Sequence, residues 1–292
     1  MGMAGHHTSR ECTPPAGTPK LYIVATPIGN LQDITQRAVD VLKSVATVAC
    51  EDTRRSRKLL SHLGAAPKRL MALHDHNEAS ATSAVLACLH AGEDVALIAD
   101  AGTPLISDPG FELVRRAWQA GIAVIPVPGA SAVAAAVAIS PVAVSRFHFE
   151  GFLPARTAAR REVLARLLAS DVAVVFFEAP HRLRDTLEDL KDLNGGGRRV
   201  LICRELTKLH ETITFGTIDE LLAADTVLDR GEFVCILSPE PEATPHDEGQ
   251  AIVDVLSAEL PAAQAARLAS KITGLPRRRL YARAVSKRRP TE

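Results

Sequence analysis

Short, wholly apolar runs alternate along the chain with longer stretches in which apolar residues recur every three or four positions. Residues 21–25, 46–50, 95–99 and 123–127 are continuous apolar runs of strand length. Around them, residues 31–44, 53–63, 78–91 and 109–120 carry the helical period; in the first, Leu31, Ile34, Ala38, Val41 and Leu42 share a face. Strands that are apolar on both faces and separated by helices predict a parallel sheet covered on both sides. Asp108-Pro109 reads as a helix start, with Asp108 as N-cap and Pro109 in the first helical position.

The pattern changes near Ser140-Pro141. Beyond it come the run 147–152, a helix over 157–169, a strong strand at 172–177 and a helix over 181–193 that Gly195-Gly196-Gly197 terminates. Runs at 200–203, 212–215 and 233–237 complete a second sheet, the last two expected to be antiparallel. Residues 239–249 read as an acidic, Pro-rich linker, followed by short helices at 248–258, 262–273 and 276–286.

At 292 residues the chain has room for two compact domains or three small ones, and 47% hydrophobic content supports real cores. Only 4% of residues are aromatic, which argues against aromatic stacking as the main way of holding a ligand. The net charge is zero but unevenly placed: residues 267–292 hold nine Lys or Arg against one acid, a local charge of +8. Arg277, Arg278, Arg279, Arg283, Lys287, Arg288 and Arg289 lie on a helical pattern, which favours a polyanion-binding surface over a merely solvated terminus. The five cysteines show no CxxC and no metal-ligand spacing; Cys50, Cys203 and Cys235 read as small buried hydrophobes. Residues 1–19 lack the apolar segment of a secretory signal and read as a disordered tail, and the most apolar stretch, 130–139, is half a membrane span. A reduced, cytoplasmic protein that no membrane holds is expected.

In parallel α/β sheets, ligands bind beyond the carboxyl ends of the strands. There the sequence places Thr26-Pro27-Ile28-Gly29-Asn30, Glu51-Asp52-Thr53-Arg54-Arg55, the segment 100–110 and Pro128-Gly129-Ala130-Ser131. The second half adds Glu178-Ala179-Pro180-His181-Arg182 and Arg204-Glu205-Leu206-Thr207-Lys208. Each loop alone serves architecture as readily as a site; gathered at matching strand ends they point to a ligand. The patterns G-x-x-x-x-G-K-[ST], G-x-G-x-x-G and G-x-S-x-G are absent. That sets aside a phosphate-loop ligase or kinase, a Rossmann fingerprint and a hydrolase nucleophile elbow. His74 and His76 would share one face of a strand, but no third ligand stands at a suitable spacing, so no metal is predicted.

The segments 24–35, 51–54, 74–78, 99–110, 126–131, 178–182 and 203–208, in that order, resemble the ribosomal RNA small subunit methyltransferase I family, a branch of the tetrapyrrole methylase superfamily. Among them are Ala25-Thr26-Pro27-Ile28-Gly29-Asn30-Leu31, Asp100-Ala101-Gly102-Thr103-Pro104-Leu105-Ile106-Ser107-Asp108-Pro109-Gly110 and Glu178-Ala179-Pro180-His181-Arg182. The resemblance implies an α/β fold with two α/β domains, 20–140 and 141–240, a cofactor cleft between them, and a basic helical appendage over 246–292. It also implies S-adenosylmethionine as methyl donor, the ribose 2′-hydroxyl of a decoding-centre cytidine as acceptor, 16S rRNA or the small ribosomal subunit as partner, and a homodimer. Carried over by position, the cofactor residues are Pro27, Ile28, Asp100, Gly102, Thr103, Ile106, Ser131 and Ala132, with Ala179, Leu206 and Phe233 from the second domain.

Methyl transfer from a sulfonium is an in-line displacement that needs alignment above all, and no metal. A ribose hydroxyl also needs a base, for which Asp33, Glu51, Asp52, His76, Glu78 and Glu178 stand at the correct edge. The Glu51-Asp52 loop or His76 is the first choice for the catalytic group, with Arg54 and Lys208 steering phosphates; a structural Glu51–Arg54 ion pair is the competing reading. For RNA, Arg54, Arg55, Arg57 and Lys58 on one helix and Arg277, Arg278 and Arg279 near the terminus offer two basic surfaces. Two alternatives stay open: a methylase of a small macrocycle, for which those basic surfaces have no use, and a non-catalytic RNA-binding relative.

Overall fold

A computed structural model of the chain describes residues 17–224, 230–239 and 245–286. The chain divides into two compact units, Met1–Pro239 and Glu240–Glu292.

The first unit opens with β1 (Lys20–Val24), a single 3-10 turn and α1 (Gln36–Ser44), then β2 (Thr47–Cys50), α2 (Thr53–Leu63), β3 (Arg69–Ala72) and α3 (Glu78–His90). It continues through β4 (Val95–Ile98), α4 (Phe111–Gln119), β5 (Ala123–Val127) and α5 (Ala132–Ala138). These five strands form one wholly parallel sheet in the order β3-β2-β4-β1-β5. Every residue of β2 and β4 is buried, which is why those runs, Thr47 apart, are apolar without alternation. One face packs Leu21, Leu89, Leu97 and Leu113, the other Val24, Leu42, Val48 and Ile98. Each such fully buried aliphatic side chain contributes roughly 1.5–3 kcal/mol.

Three local features depart from the sequence reading. The helix expected from residue 31 starts at Gln36, because Thr35 is extended and its hydroxyl caps the Ala38 amide at 3.2 Å. Asp108 is not the N-cap of α4: that position belongs to Gly110, whose φ of 121° and whose place against Leu97 exclude any side chain. The free amides of Gly110 and Glu112 are instead taken by Glu78 Oε1 from α3, at 3.1 and 3.3 Å. Strand β3 was not anticipated; it is a short edge strand of mixed polarity with no strong period.

After α5 the chain enters a second sheet: β6 (Phe147–Phe152), α6 (Thr157–Leu168), β7 (Ala173–Glu178), α7 (Leu183–Leu190), β8 (Arg199–Arg204), β9 (Thr212–Thr217), α8 (Ile218–Ala223) and β10 (Phe233–Leu237). Its order is β6-β7-β10-β8-β9, with β6 and β7 parallel and the other pairs antiparallel. The two runs expected to pair antiparallel, now β9 and β10, are not neighbours. Both flank β8 and run the same way, the fully buried β10 in the interior and the half-exposed β9 at the edge. The glycine stop after α7 is likewise corrected: Asn194 (φ 65°) takes the left-handed position, while Gly195 is buried where a Cβ would lie 2.7 Å from Leu190 O. Cys50, Cys203 and Cys235 are buried free thiols.

The second unit comprises α9 (Pro245–Glu259), α10 (Ala262–Thr273) and α11 (Arg277–Ser286), packed around Val253, Ala266, Ala269, Leu280 and Ala284. Helix α9 begins inside the segment expected to be linker, with proline at its first position. Residues 1–16 of the expected tail, 240–244 of the expected linker, and Lys287, Arg288 and Arg289 lie outside the described residues. Among the described residues no helix is long and apolar enough to cross a membrane.

Candidate functional site

The loops at the carboxyl ends of the first sheet are stitched together. Thr26 and Gly102 exchange two backbone hydrogen bonds of 2.9 and 3.0 Å, and the Thr26 hydroxyl donates to Ala99 O at 3.1 Å. Thr103 Oγ1 donates to Ala130 O at 3.1 Å, and Asp52 N donates to Asp100 Oδ1 at 3.0 Å. Opposite them the second sheet supplies the ends of β7 and β8 and the start of β10. Cross-contacts join the halves on two sides. Asn30 N donates to Thr207 Oγ1 at 3.1 Å, beside Gly29, where a Cβ would come 2.4 Å from Lys208 Cγ; a Cβ on Gly151 would lie 3.1 Å from Ser107 Oγ.

Between these contacts lies a cavity of about 440 Å³, within the ~300–1,000 Å³ range of small-molecule sites. From the first sheet's side come Glu51, Asp100, Asp108, Thr103 and Ser131, with Ile28 and Ile106; from the second come Phe177, Ala179, Leu206, Phe233 and Val234, with the ion-paired Glu178 and Glu232. Four side-chain-bearing residues in the flanking loops are left-handed: Leu105 (φ 71°) and Ser107 (φ 65°) on one side, Glu205 (φ 52°) and Thr207 (φ 67°) on the other. Such conformations cost about 1–3 kcal/mol each and persist where the surroundings hold a site in shape.

The carboxylates on the first sheet's side raise one another's proton affinity. Burial, then the charges of Glu51 and Asp100, push the Asp108 carboxyl up to about 7. Burial, then Asp100 and Asp75, raise that of Glu51. Arg55 Nη1 offsets part of this charge through Asp100 Oδ2 at 3.2 Å. Because Asp108 in the unfolded chain titrates near ~3.9, the folded protein holds the extra proton between that value and about 7, so stability falls as pH rises through this window. Asp108→Asn is therefore expected to raise the Tm at about pH 8 and leave it nearly unchanged at about pH 4, measured by calorimetry.

The cavity wall includes Ile28, Asp100, Gly102, Thr103, Ile106, Ser131 and Ala132 of the expected cofactor residues, together with Ala179, Leu206 and Phe233. Pro27 is buried but is not on the wall. Of the three expected catalytic residues, Glu51 is on the wall. Asp52 is spent as the N-cap of α2, accepting from Arg54 N at 2.7 Å, a bond that holds its carboxyl below the usual range. His76 is exposed in the turn before α3, away from the wall. Glu78 caps α4, and Glu178 is buried in bonds to its own loop. Arg54, Arg57 and Lys58 are exposed on α2, and no Glu51–Arg54 pair forms among the described residues. Arg55 faces the cavity. Lys208 is not a free cation: it clamps Glu205 and Glu232 at 2.8 and 3.0 Å. In the second unit Arg277, Arg278 and Arg279 are exposed, whereas Arg283 is paired with Asp254 at 2.8 Å. Among the described residues no group of three His, Cys, Asp or Glu could hold a metal.

Asp108, Phe152 and Glu232 were missed as wall residues. Asp108 carried a misleading signal, the Asp-Pro pair of a helix cap. The other two lie at the end of β6 and just before β10, with no distinguishing pattern.

A family profile described as Tetrapyrrole (Corrin/Porphyrin) Methylases matches residues 20–222, and one described as RsmI C-terminal HTH domain matches residues 243–288. The chain is 47% identical over 279 residues to ribosomal RNA small subunit methyltransferase I of Pseudomonas aeruginosa, covering 93% of this chain and 98% of that protein. The chain belongs to the ribosomal RNA small subunit methyltransferase I family. The Haemophilus influenzae member is 46% identical over 268 residues, covering 89% of this chain and 94% of its own length. Membership makes the chain a methyltransferase. Solved structures share the fold over about three quarters of the chain at low identity. A cobalt precorrin-4 methyltransferase superposes with a TM-score of 0.57 at 18% identity, covering 77% of this chain and 98% of that one. A uroporphyrin-III C-methyltransferase from Thermus thermophilus, complexed with S-adenyl homocysteine, gives 0.52 at 19% identity, covering 75% of this chain and 97% of that one.

Proposed function

We propose that the chain transfers a methyl group from S-adenosylmethionine to the ribose 2′-hydroxyl of a cytidine in the decoding centre of 16S rRNA, acting in the cytoplasm as a homodimer. The observation that carries this reading is the cavity in which an apolar patch of Ala179, Leu206 and Phe233 lies across from Glu51, Asp100 and Asp108, while the carboxylates on the patch's own side, Glu178 and Glu232, are ion-paired. A methyl donor of this class joins a flat adenine to a cationic sulfonium. The apolar side of Ala179, Leu206 and Phe233 suits the former, and the negative field of Asp100 and Glu51 the latter. Thr103 and Ser131 stand ready to hydrogen-bond polar groups between them. When bound, the donor supplies an electrophilic methyl carbon. The chain's own part is to hold the acceptor oxygen in line with it, exclude water and take up a proton.

The RNA reading rests on the second unit, where α11 presents Arg277, Arg278 and Arg279 to solvent. Exposed Arg54, Arg57 and Lys58 give the first unit its own basic face. A macrocycle substrate would leave both without a role. Replacing Arg277, Arg278 and Arg279 together by alanine is expected to weaken binding to small-subunit RNA and to lower the slope of log K against log salt by roughly one for each phosphate that these arginines neutralise. Filter binding across a salt series measures both, and an unchanged slope would remove the arginines from the interface.

The reading as a whole is tested with radiolabelled S-adenosylmethionine and small subunits lacking the modification. A 2′-O-methyl group blocks attack on the neighbouring phosphodiester, so the label should appear in an alkali-resistant dinucleotide containing cytidine. Label on a base would overturn the proposal.

A further inference from the structure

Five carboxylates stand on the cavity wall, Glu51, Asp100, Asp108, Glu178 and Glu232, and their bonding separates them. Glu178 is held by Arg182, Thr186 and the Ala179 amide. Asp100 is held by the Asp52 amide and Arg55, and Glu232 by Lys208. Glu51 and Asp108 make no hydrogen bond or ion pair with the described residues. The fold itself releases Asp108. Glu78 occupies the helix cap that an Asp-Pro pair would ordinarily fill, and the chain turns through left-handed Ser107 immediately before Asp108 reaches the wall.

We infer that the carboxylate of Asp108 takes the proton of the acceptor hydroxyl as the methyl group is transferred, a role that rests on the ribose reading above. The hydroxyl O–H bond breaks while the new O–C bond forms. The carbon–sulfur bond of the donor opens with its electron pair on the departing sulfur, and the proton passes to Asp108 and then to solvent. The charges balance: carboxylate and sulfonium become carboxylic acid and thioether.

A base works best when it titrates near the operating pH, and burial with the charges of Glu51 and Asp100 brings Asp108 to about 7. The other charged groups around the cavity are already matched: Arg55 with Asp100, Arg182 with Glu178, Lys208 with Glu205 and Glu232. Glu78, adjoining on α3, is bound to the amides of Gly110 and Glu112. Transfer should therefore rise with pH through about 7, and Glu51→Gln, by removing a negative neighbour, should move that rise to lower pH.

The test compares wild type, Asp108→Asn and Glu51→Gln in single-turnover transfer to unmodified small subunits from about pH 5 to about pH 9. Donor affinity comes from calorimetry, and the carboxyl ¹³C resonances of the ligand-free proteins are titrated by NMR. Asp108→Asn is expected to lose ~10²–10⁴-fold in rate with the donor saturating. It should also lose a resonance that titrates near 7, and Glu51→Gln should shift that resonance and the rate profile downward together. An Asp108→Asn rate within about tenfold of wild type on ribose, or an unshifted Glu51→Gln profile, would overturn the assignment alone. A wild-type product methylated on a base would overturn the ribose reading, and the hydroxyl step with it.

Discussion

Replacing Gly102 by valine is expected to weaken S-adenosylmethionine binding by ~100-fold, equivalent to ~2.8 kcal/mol, while the protein still folds. Gly102 has a φ of 82°, which a β-branched residue adopts only with strain, and it is buried on the cavity wall. It cannot relax outward, because two backbone hydrogen bonds tie it to Thr26. A Cβ there would already lie 3.2 Å from Ile28 Cγ2, on the same wall, so the γ-methyls must take space from the ligand or displace Ile28. Calorimetric titration of the donor, with a thermal melt to verify folding, measures the effect. A Kd within about threefold of wild type would show that this turn does not touch the donor.

The second large effect is structural. Glu178 is 1% exposed, and its two oxygens accept from the Ala179 amide at 2.8 Å, from Thr186 Oγ1 at 2.7 Å and from Arg182 Nη2 at 2.7 Å. Glu178→Ala removes both acceptor oxygens, and so all three bonds, at once and leaves a mostly buried guanidinium whose Nε already has no partner. Breaking a buried pair in this way costs about 3–5 kcal/mol, and for a unit of this size that lowers the Tm by roughly 10 °C. Because Glu178, Ala179 and Pro180 all line the cavity, donor affinity should fall with it. A melt within a degree or two of wild type would mean that water replaces the carboxylate without cost.

Much of this was legible in the chain, for identifiable reasons. β2 and β4 are buried on both faces and so, apart from Thr47, are apolar without alternation. α2, expected over 53–63 from its helical period, forms over Thr53–Leu63. What escaped depends on partners distant in sequence. The start of α4 is fixed by Glu78, 32 residues earlier, so the local Asp-Pro signal pointed to the wrong cap and hid Asp108 among helix termini. The placement of β8 between β9 and β10 reflects which strand is buried on both faces, a property of the assembled sheet. The same holds in the site. Loops at strand ends could be located from topology, and within them the family resemblance pointed to Asp100 and Ser131, both on the cavity wall. Whether a side chain in such a loop faces the cavity could not be read from it. Adjacent Glu51 and Asp52 diverge, one to the wall and one to a helix cap, and Lys208, read as a phosphate ligand, is consumed by two carboxylates.

On the proposed function, the cavity between the two sheets holds the methyl donor with its sulfur toward Glu51 and Asp108. A crystal structure of the chain with S-adenosylhomocysteine tests it most directly. The adenine should lie against Ala179, Leu206 and Phe233, and the sulfur should face the carboxylates of the first sheet. Density for the ligand anywhere else on the chain, or in the cavity with the sulfur turned to the apolar patch, would contradict the account.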